Sequence, residues 1–260
     1  MKLCCNVLKI DFVYCSINCS FVIMETFRFA IGKDFEHLTD FIRTLPAQYD
    51  SIGETIHSAR NEIKTADVNG GKLVIKYFRR LSPVNRFFFT LTGVTKAKNA
   101  YRHACHLADH GINTPEPVGY IDCYKNLFIS RSFFVCAYTD YSPVKEIFAL
   151  PVEDSAEGIR QFARWTYHLH REGIFPGDFN DSNILIKSVS DAIDFQIIDI
   201  NRMKFGRYTL KNGIRNMKRL QTPPEKMGIL ADAYAKEAGA DVFKVLYGIV
   251  SRRNRFLRKR

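Results

Sequence analysis

The sequence predicts an α+β fold in two lobes, a small antiparallel sheet with one inserted helix followed by a mainly helical part. Short apolar runs separated by turn residues occupy most of residues 52–138, and one stripe at helical spacing interrupts them. From residue 154 onward, most apolar residues recur at helical spacing instead. The 260-residue chain is 46% hydrophobic and 25% charged, which is ordinary for a globular protein with a sizeable core.

The elements of the first lobe follow from its periodicity. A helix is expected behind Asp34, where apolar residues recur at helical spacing as far as Pro46. The remaining expected elements are a hairpin over 52–68, a tight turn at 69–71, a strand over 72–77, a helix over 97–108 and strands near 118–123 and 127–138. The run Phe87-Phe88-Phe89 is expected to pack in the core, and contact with an acyl chain is the alternative.

In the second lobe, a helix is expected from Asp154 to Gly173, two short strands near 184–186 and 195–198, and helices from 224 onward. These elements place the first lobe at residues 24–140 and the second at 141–260. Residues 1–23 are apolar and rich in cysteine, and we expect them to be a non-native or disordered extension. A translation start at Met24 rather than Met1 is the favoured interpretation, and a poorly ordered extension or a weak membrane-associating tail is the alternative.

The charge is unevenly distributed. The net charge is +11, yet residues 68–108 hold eight Lys or Arg and residues 252–260 hold six, with no Asp or Glu in either segment. Such local basicity favours an anionic ligand or surface, although a solvated face is the alternative. The C-terminal cluster surrounds Phe256-Leu257, which favours peripheral attachment to an anionic inner-membrane surface. No nucleic-acid partner is expected, because no nucleic-acid-binding motif accompanies the charge.

The cysteine pattern favours a reducing cytoplasm. The seven cysteines are odd in number and include no C-x-x-C pair. A disulfide framework or a zinc site is therefore not expected.

One stretch of the second lobe has the side chains that phosphoryl transfer requires. Asp178 and Asn183 stand five residues apart ahead of the apolar run Ile184-Leu185-Ile186, and a second apolar run leads to Asp199. In kinases an Asp orients the attacking hydroxyl, and an Asn and a second Asp hold the metal ion. We assign the first role to Asp178 and the second to Asn183 and Asp199, whose oxygens suit Mg²⁺. A pair of polar turns is the alternative interpretation.

These residues resemble those of the lipopolysaccharide core kinases, the Kdo-kinase and heptose-kinase family, which has a bilobal protein-kinase-like fold. The resemblance spans residues 50–220. Besides the residues above, it includes Arg60-Asn61, the L-V-I-K that ends at Lys76, the G-I-N-T-P-E-P-V-G-Y at 111–120 and the I-D-I-N-R at 198–202. It implies an ATP-dependent, Mg²⁺-dependent kinase acting on a Kdo or heptose hydroxyl of the lipopolysaccharide inner core, an anionic glycolipid.

The resemblance also implies a nucleotide site in the first lobe. Lys76 ends a strand where a kinase keeps the lysine that contacts the α- and β-phosphates. Gly53 through Asn61, including Arg60, would form the loop over the phosphates, because glycine lets the backbone approach closely.

The sequence departs from the kinase pattern twice. The helix that would carry a Glu to pair with Lys76 has no acid, which leaves Glu54, Glu62, or the nucleotide and Asp199 to hold the lysine. Pro176 replaces the histidine that braces the catalytic loop. Two alternatives therefore stay open: a kinase of the same fold acting on protein or a soluble small molecule, and a catalytically inactive binding module.

Overall fold

The computed structural model describes residues 12–18, 21–79, 82–190 and 192–259. The chain forms two compact units. The first contains the residues up to Asp109 together with Pro115–Thr139, and the second contains His110–Thr114 together with the chain from Asp140 onward. The short segment His110–Thr114 thus belongs to the second unit although it precedes the predicted boundary at residue 140.

The described part of the first unit is built on a seven-stranded sheet in which all neighbouring strands are antiparallel. Its strands are β1 (Phe12–Asn18), β2 (Phe21–Ile31), β3 (Glu54–Ser58), β4 (Glu62–Val68), β5 (Gly71–Tyr77), β6 (Pro117–Lys125) and β7 (Phe128–Ala137). The order across the sheet is β1-β2-β6-β7-β5-β4-β3. The five strands from β3 to β7 agree with the sequence prediction.

The other two strands extend the sheet beyond the prediction. The sequence predicts a disordered or non-native extension over residues 1–23, whereas β1 pairs with β2 along its whole length, from Phe12 opposite Phe27 to Asn18 opposite Phe21. β2 in turn pairs with β6 and buries Phe29 in the core. Residues 1–11, 19 and 20 lie outside the described residues, and the start of translation stays a prediction.

Two of the unit's three α-helices pack on opposite faces of the sheet. They are α1 (Thr39–Gln48), α2 (Pro83–Thr92) and α3 (Lys96–Asp109). α1 covers the face that carries Ile121 and Phe133, and they form one core with Ile42. α3 covers the other face, where the rings of Tyr101 and Tyr120 lie 5.7 Å apart. The sequence predicts one helix between β5 and β6, whereas the structure has both α2 and α3 there.

A buried carboxylate fixes the start of α3 to the sheet. Asp122, on β6, accepts hydrogen bonds from the hydroxyls of Thr95 at 2.8 Å and Ser132 at 2.6 Å. Thr95 also caps α3, because its hydroxyl accepts a hydrogen bond from the backbone N–H of Lys98. Burial raises the pKa of Asp122 to about 6, since removal from water disfavours the charged form.

The second unit is mainly helical. Its α-helices are α4 (Lys145–Ala149), α5 (Val152–Arg171), α6 (Leu210–Asn216), α7 (Pro224–Ala238) and α8 (Val242–Leu257). Its strands are β8 (Ser142–Pro143), β9 (Ile174–Pro176), β10 (Ile184–Val189), β11 (Ala192–Ile197) and β12 (Met203–Phe205). They form a β11-β10-β8 sheet and a β12-β9 pair. An antiparallel sheet followed by a helical unit confirms the predicted α+β class.

The cysteines depart from expectation at one position. Cys123 and Cys136 are free thiols buried in the sheet of the first unit. Cys105, on α3, is disulfide-bonded, which the cysteine pattern does not predict. A reducing cytoplasm therefore stays a prediction.

Candidate active site

The three residues assigned to phosphoryl transfer stand at the same end of one hairpin. Asn183 directly precedes β10, and Asp199 follows two residues after β11 ends. The strands are antiparallel and Ile184 lies opposite Ile197, so the entry to β10 and the exit from β11 are neighbours. Asp178 lies in the loop that enters β10. The hairpin predicted from two short apolar runs therefore brings these loops together.

Asn183 connects the two loops. Its side-chain Nδ2 donates a hydrogen bond to the backbone oxygen of Asp178 at 3.0 Å. Its own backbone oxygen accepts from the N–H of Ile198, next to Asp199, at 2.9 Å. With Nδ2 engaged in this way, Oδ1 is the atom that Asn183 can offer to a cation.

Asn180 shapes the loop between Asp178 and Asn183. Its Oδ1 accepts from the backbone N–H groups of Ser182 at 2.9 Å and Asn183 at 3.2 Å, which is an Asx turn. Its Nδ2 lies 3.3 Å from Oδ1 of Asp178. Phe179, between them, is buried, so the loop is pinned by an apolar side chain while its polar neighbours stay at the surface.

Asp199 has a left-handed backbone, with φ 55° and ψ 44°. The other described non-glycine residues with positive φ lie in hairpin turns, whereas Asp199 follows a strand and begins a short 3₁₀ segment. A non-glycine residue held in this region is strained, and such strain clusters at functional sites. We infer that the surrounding chain imposes this conformation on Asp199.

The structure adds a residue that the sequence interpretation missed. Arg219 donates a hydrogen bond from its guanidinium to Oδ1 of Asp178, and both side chains are about one-quarter exposed. The guanidinium lies 5.0 Å from the centre of the Phe256 ring of α8. Forty-one residues separate the pair, and the only signal that could have drawn attention to Arg219 is its place in the basic pair Lys218-Arg219.

The loop is braced despite the absence of the expected histidine. The backbone oxygen of Pro176 accepts a hydrogen bond from Nδ2 of Asn216 at 2.7 Å. Oδ1 of Asn216 lies 3.0 Å from Nε2 of His170, and the other ring nitrogen lies 2.9 Å from the Tyr234 hydroxyl. Because Asn216 offers its oxygen to the ring, Nε2 carries the proton and Nδ1 accepts from Tyr234.

This brace is neutral. His170 is fully buried, and burial lowers the pKa of its ring to about 4. A chain of hydrogen bonds from Tyr234 through His170 and Asn216 therefore holds the residue before Gly177 without a net charge.

Gly177 is required by a close backbone approach. Its N–H donates to the backbone oxygen of Arg202 at 2.5 Å, and a Cβ built at this position would lie 2.4 Å from that same oxygen. Strands β9 and β12 pair directly beside this contact, with Pro176 opposite Met203. The segments that carry Asp178 and Asp199 are thus joined by backbone hydrogen bonds as well as by Asn183.

The donor set at this hairpin end suits Mg²⁺ shared with a nucleotide. Among the described residues, no group of three or more His, Cys, Asp or Glu could hold a metal ion. Asn183 and Asp199 offer one amide oxygen and one carboxylate. Mg²⁺ commonly takes only one or two such protein ligands and completes its shell with water and phosphate oxygens.

On the first unit, Lys76 lies on the sheet face covered by α3. It stands opposite Phe134 in the register of β5 and β7, and its Nζ lies 5.5 Å from the centre of the Phe78 ring. Glu62 stands opposite Tyr77 and so projects from the other face, where it pairs with Arg79 at 3.1 Å. Glu62 is therefore not the partner of Lys76.

The structure does not bring Gly53 together with Arg60 and Asn61. Arg60 and Asn61 lie in the turn between β3 and β4, whereas Gly53 precedes β3, about 17 Å away at the other end of a five-residue strand. Gly53 has φ +59°, and a Cβ there would lie 2.0 Å from the backbone oxygen of Thr65. This contact explains the glycine without a nucleotide, and the nucleotide-binding role of all three residues stays a prediction.

The sheet with its inserted helices, and the β10–β11 hairpin of the second unit, define a protein-kinase-like fold. A solved structure of WaaP in complex with acyl carrier protein is similar, with a TM-score of 0.62 and 16% sequence identity over 89% of this chain and 98% of that chain. The resemblance to the lipopolysaccharide core kinases is therefore confirmed at the level of the fold.

Other comparisons add less. A double mutant of the kinase domain of Mycobacterium tuberculosis PknI is 14% identical over 74% of each chain, with a TM-score of 0.39. No protein-family model matches the sequence. No curated protein matches it either.

Proposed function

We propose that this protein transfers the terminal phosphoryl group of ATP to a sugar hydroxyl, Kdo or heptose, of the lipopolysaccharide inner core. The observation that carries the proposal is the placement of Asp178, Asn183 and Asp199 at one end of the β10–β11 hairpin, on a protein-kinase-like fold. Phosphoryl transfer needs positioned carboxylates and cations rather than a covalent intermediate on the protein.

Asp178 orients the acceptor hydroxyl and accepts its proton, a role worth about 10²–10⁴ in rate. Arg219 engages one carboxylate oxygen of Asp178, and Oδ2 remains for the hydroxyl. The backbone hydrogen bonds at Pro176 and Gly177 fix where this carboxylate stands.

We assign the metal ion and the nucleotide phosphates to separate sets of residues. Oδ1 of Asn183 and the carboxylate of Asp199 would hold Mg²⁺, which when bound neutralises charge on the phosphate oxygens. Lys76 would contact the α- and β-phosphates, and Arg60 and Asn61 of the β3–β4 turn would lie over the phosphates. Arg60 is exposed and thus accessible to such a ligand.

The acceptor class rests on charge and on fold. A phosphate-rich glycolipid is anionic, and residues 68–108 are basic without an acid. The resemblance of the sequence motifs to the lipopolysaccharide core kinases implies the same class of acceptor. None of the described helices has the length and apolarity needed to cross a bilayer. We place the enzyme in the cytoplasm, peripheral on the inner membrane.

The alternative, a catalytically inactive binding module, rests on two departures from the kinase pattern, and one of them now carries less weight. The first departure is Pro176, which stands where kinases have a histidine that braces the loop. Asn216 donates a hydrogen bond to the backbone oxygen of Pro176 and so supports the same segment. The second departure is helix α3, which has no Glu to pair with Lys76 and whose one acid, Asp109, is its last residue.

An acceptor panel tests the proposal. Purified protein with Mg²⁺ and γ-labelled ATP is offered Kdo–lipid A, dephosphorylated core glycolipid, a general protein substrate and soluble sugars. Label on a glycolipid alone is the expected result. Label on protein or on a soluble sugar would show that the acceptor is not a glycolipid and would favour the alternative kinase. Magnesium-dependent nucleotide binding without transfer to any acceptor would favour the inactive binding module.

A further inference from the structure

Helix α2 exposes an apolar stripe that the rest of the first unit does not cover. Val84, Phe87, Phe88 and Leu91 follow the spacing i, i+3, i+4, i+7 and are 77%, 62%, 53% and 75% exposed. The sequence predicts that the Phe87-Phe88-Phe89 run packs in the core, and for Phe87 and Phe88 this is wrong. α2 buries none of its residues, whereas α3 buries six.

The stripe continues onto a neighbouring turn. Leu127, in the turn between β6 and β7, and Phe128, the first residue of β7, are 76% and 46% exposed. The backbone N–H of Ile129 donates to the hydroxyl of Thr90 at 3.1 Å, which joins this turn to α2. The guanidinium of Arg86 lies 6.0 Å from the centre of the Phe128 ring. The two elements thus present one apolar surface, which we call the α2 patch: Val84, Phe87, Phe88, Leu91, Leu127 and Phe128.

α2 is a well-defined helix, despite its lack of buried side chains. The hydroxyl of Ser82 accepts from the N–H of Asn85, Pro83 occupies the first turn, and Gly93 ends the helix with φ +62°. Ten residues span about 15 Å. The chain therefore holds these apolar side chains outward on a defined element instead of folding them inward.

We propose that the α2 patch inserts into the surface of an anionic phospholipid bilayer. Soluble proteins rarely expose so contiguous an apolar surface unless it binds something. A short helix with Phe and Leu on one face and basic residues around it is typical of elements that lie in the membrane interface. Helix α2 belongs to a segment, residues 68–108, whose sequence carries eight Lys or Arg and no acid, and such basicity complements anionic headgroups.

This inference deepens the proposed function, because it names the surface by which the enzyme meets the membrane that carries its acceptor. It differs from the expectation for the C-terminal cluster, residues 252–260, which begins within α8 of the other unit and extends past its last residue, Leu257. Part of that cluster has intramolecular contacts, since Arg253 donates to the backbone oxygen of Thr222 at 2.7 Å and Phe256 lies beneath Arg219.

Vesicle binding of the full-length chain tests the inference without nucleotide or glycolipid acceptor, so that a failure of the kinase proposal cannot affect it. The vesicles contain phosphatidylethanolamine with phosphatidylglycerol, and phosphatidylcholine vesicles serve as the neutral comparison. The test variant is Phe87→Ser with Leu91→Ser. The matched control is Ile56→Ser with Val189→Ser, whose side chains are 58% and 53% exposed on β3 and β10.

We expect the partition coefficient onto anionic vesicles to fall at least about tenfold for the test variant, and by less than about twofold for the control. Neutral vesicles should bind the wild type more weakly. Phe87→Trp should show a blue-shifted emission with vesicles that brominated lipids quench. Unchanged partition of the test variant, or no spectral shift at position 87, would overturn the inference. Binding to a purified acidic carrier protein is measured in parallel. If the test variant loses that binding while its vesicle binding stays intact, the α2 patch binds a protein partner and the inference is overturned.

Discussion

Arg219 donates a hydrogen bond to the carboxylate of Asp178 across forty-one residues of sequence. The guanidinium rests against Phe256, so its position is set by α8 as well as by its own segment. This contact gives the carboxylate that we assign to the acceptor hydroxyl a fixed cationic partner. A charge-assisted hydrogen bond of this kind is stronger and more directional than a neutral one.

The first prediction concerns this pair. Arg219→Ala should lower kcat for phosphoryl transfer by about 10- to 100-fold, because a misplaced catalytic group loses much of its advantage. Arg219→Lys should recover part of the rate. Lys218→Ala is the control, since its Nζ lies 5.7 Å from the centre of the same Phe256 ring and no hydrogen bond to Asp178 involves it. Equal rates for Arg219→Ala and the wild type would remove Arg219 from the site.

The second prediction concerns the brace at Pro176. Asn216→Ala should lower the free energy of unfolding by about 1–3 kcal/mol, because it leaves the Pro176 oxygen and Nε2 of the buried His170 ring without a partner. It should also lower kcat. Asn212→Ala, on the same helix, removes only a contact to exposed Arg215 and should cost less than about 0.5 kcal/mol. Chemical denaturation of both variants gives the comparison, and equal losses would contradict the brace.

The third prediction concerns a pair of glycines. Gly177→Ala should lower kcat by about 100-fold, because the new Cβ would collide with the backbone of Arg202 and displace the loop that carries Asp178. Gly228→Ala, on α7 with open space around the new Cβ, should stabilise the protein by up to about 1 kcal/mol. Full activity of Gly177→Ala would show that the close approach is not needed.

The fourth prediction is a pH dependence with two opposing contributions. The folded-state pKa of Asp122 is raised from 3.8 to about 6, so its contribution to stability is complete below about pH 4 and is lost as pH rises to 6. The folded-state pKa of His170 is lowered from 6.5 to about 4, so its contribution is present above 6.5 and is lost as pH falls to 4. Each contribution is on the order of 3 kcal/mol.

Because the two contributions have opposite signs, single variants should separate them. Asp122→Asn should leave a protein that loses stability more steeply as pH falls from 6 to 4, since only the His170 contribution remains. His170→Gln should show the reverse slope. Unfolding free energies measured across this range give both slopes, and identical pH profiles for the two variants would contradict the assignment.

The sequence predicted the residues whose spacing is local. Asp178, Asn183 and Asp199 are fixed by two short apolar runs and a turn, and antiparallel pairing then places their loops side by side. The apolar run L-V-I-K likewise indicated that Lys76 lies near the end of a strand. Each of these positions depends on one element and its neighbour, and the roles assigned to the residues stay predictions.

The residues that the sequence did not reveal reach the site from a distant segment. Arg219 and Asn216 lie forty-one and forty residues beyond their partners and follow no periodic pattern. The same limit applies to β1 and β2, since nothing local indicates that β2 pairs with a strand almost a hundred residues later. At α2, the apolar residue types predicted that Phe87 and Phe88 are buried. Their exposure depends instead on whether another element covers the helix, which the local sequence does not indicate.

Transfer of labelled phosphate from Mg-ATP to Kdo–lipid A or core glycolipid tests the central claim most directly. Wild type is measured beside Asp178→Asn and Asp199→Asn, with nucleotide binding followed in parallel. We expect label on the glycolipid with wild type, loss of transfer in both variants, and nucleotide binding retained in Asp178→Asn. Transfer that persists at the wild-type rate in Asp178→Asn would contradict the assigned site, and no transfer by the wild type to any acceptor would contradict the kinase itself.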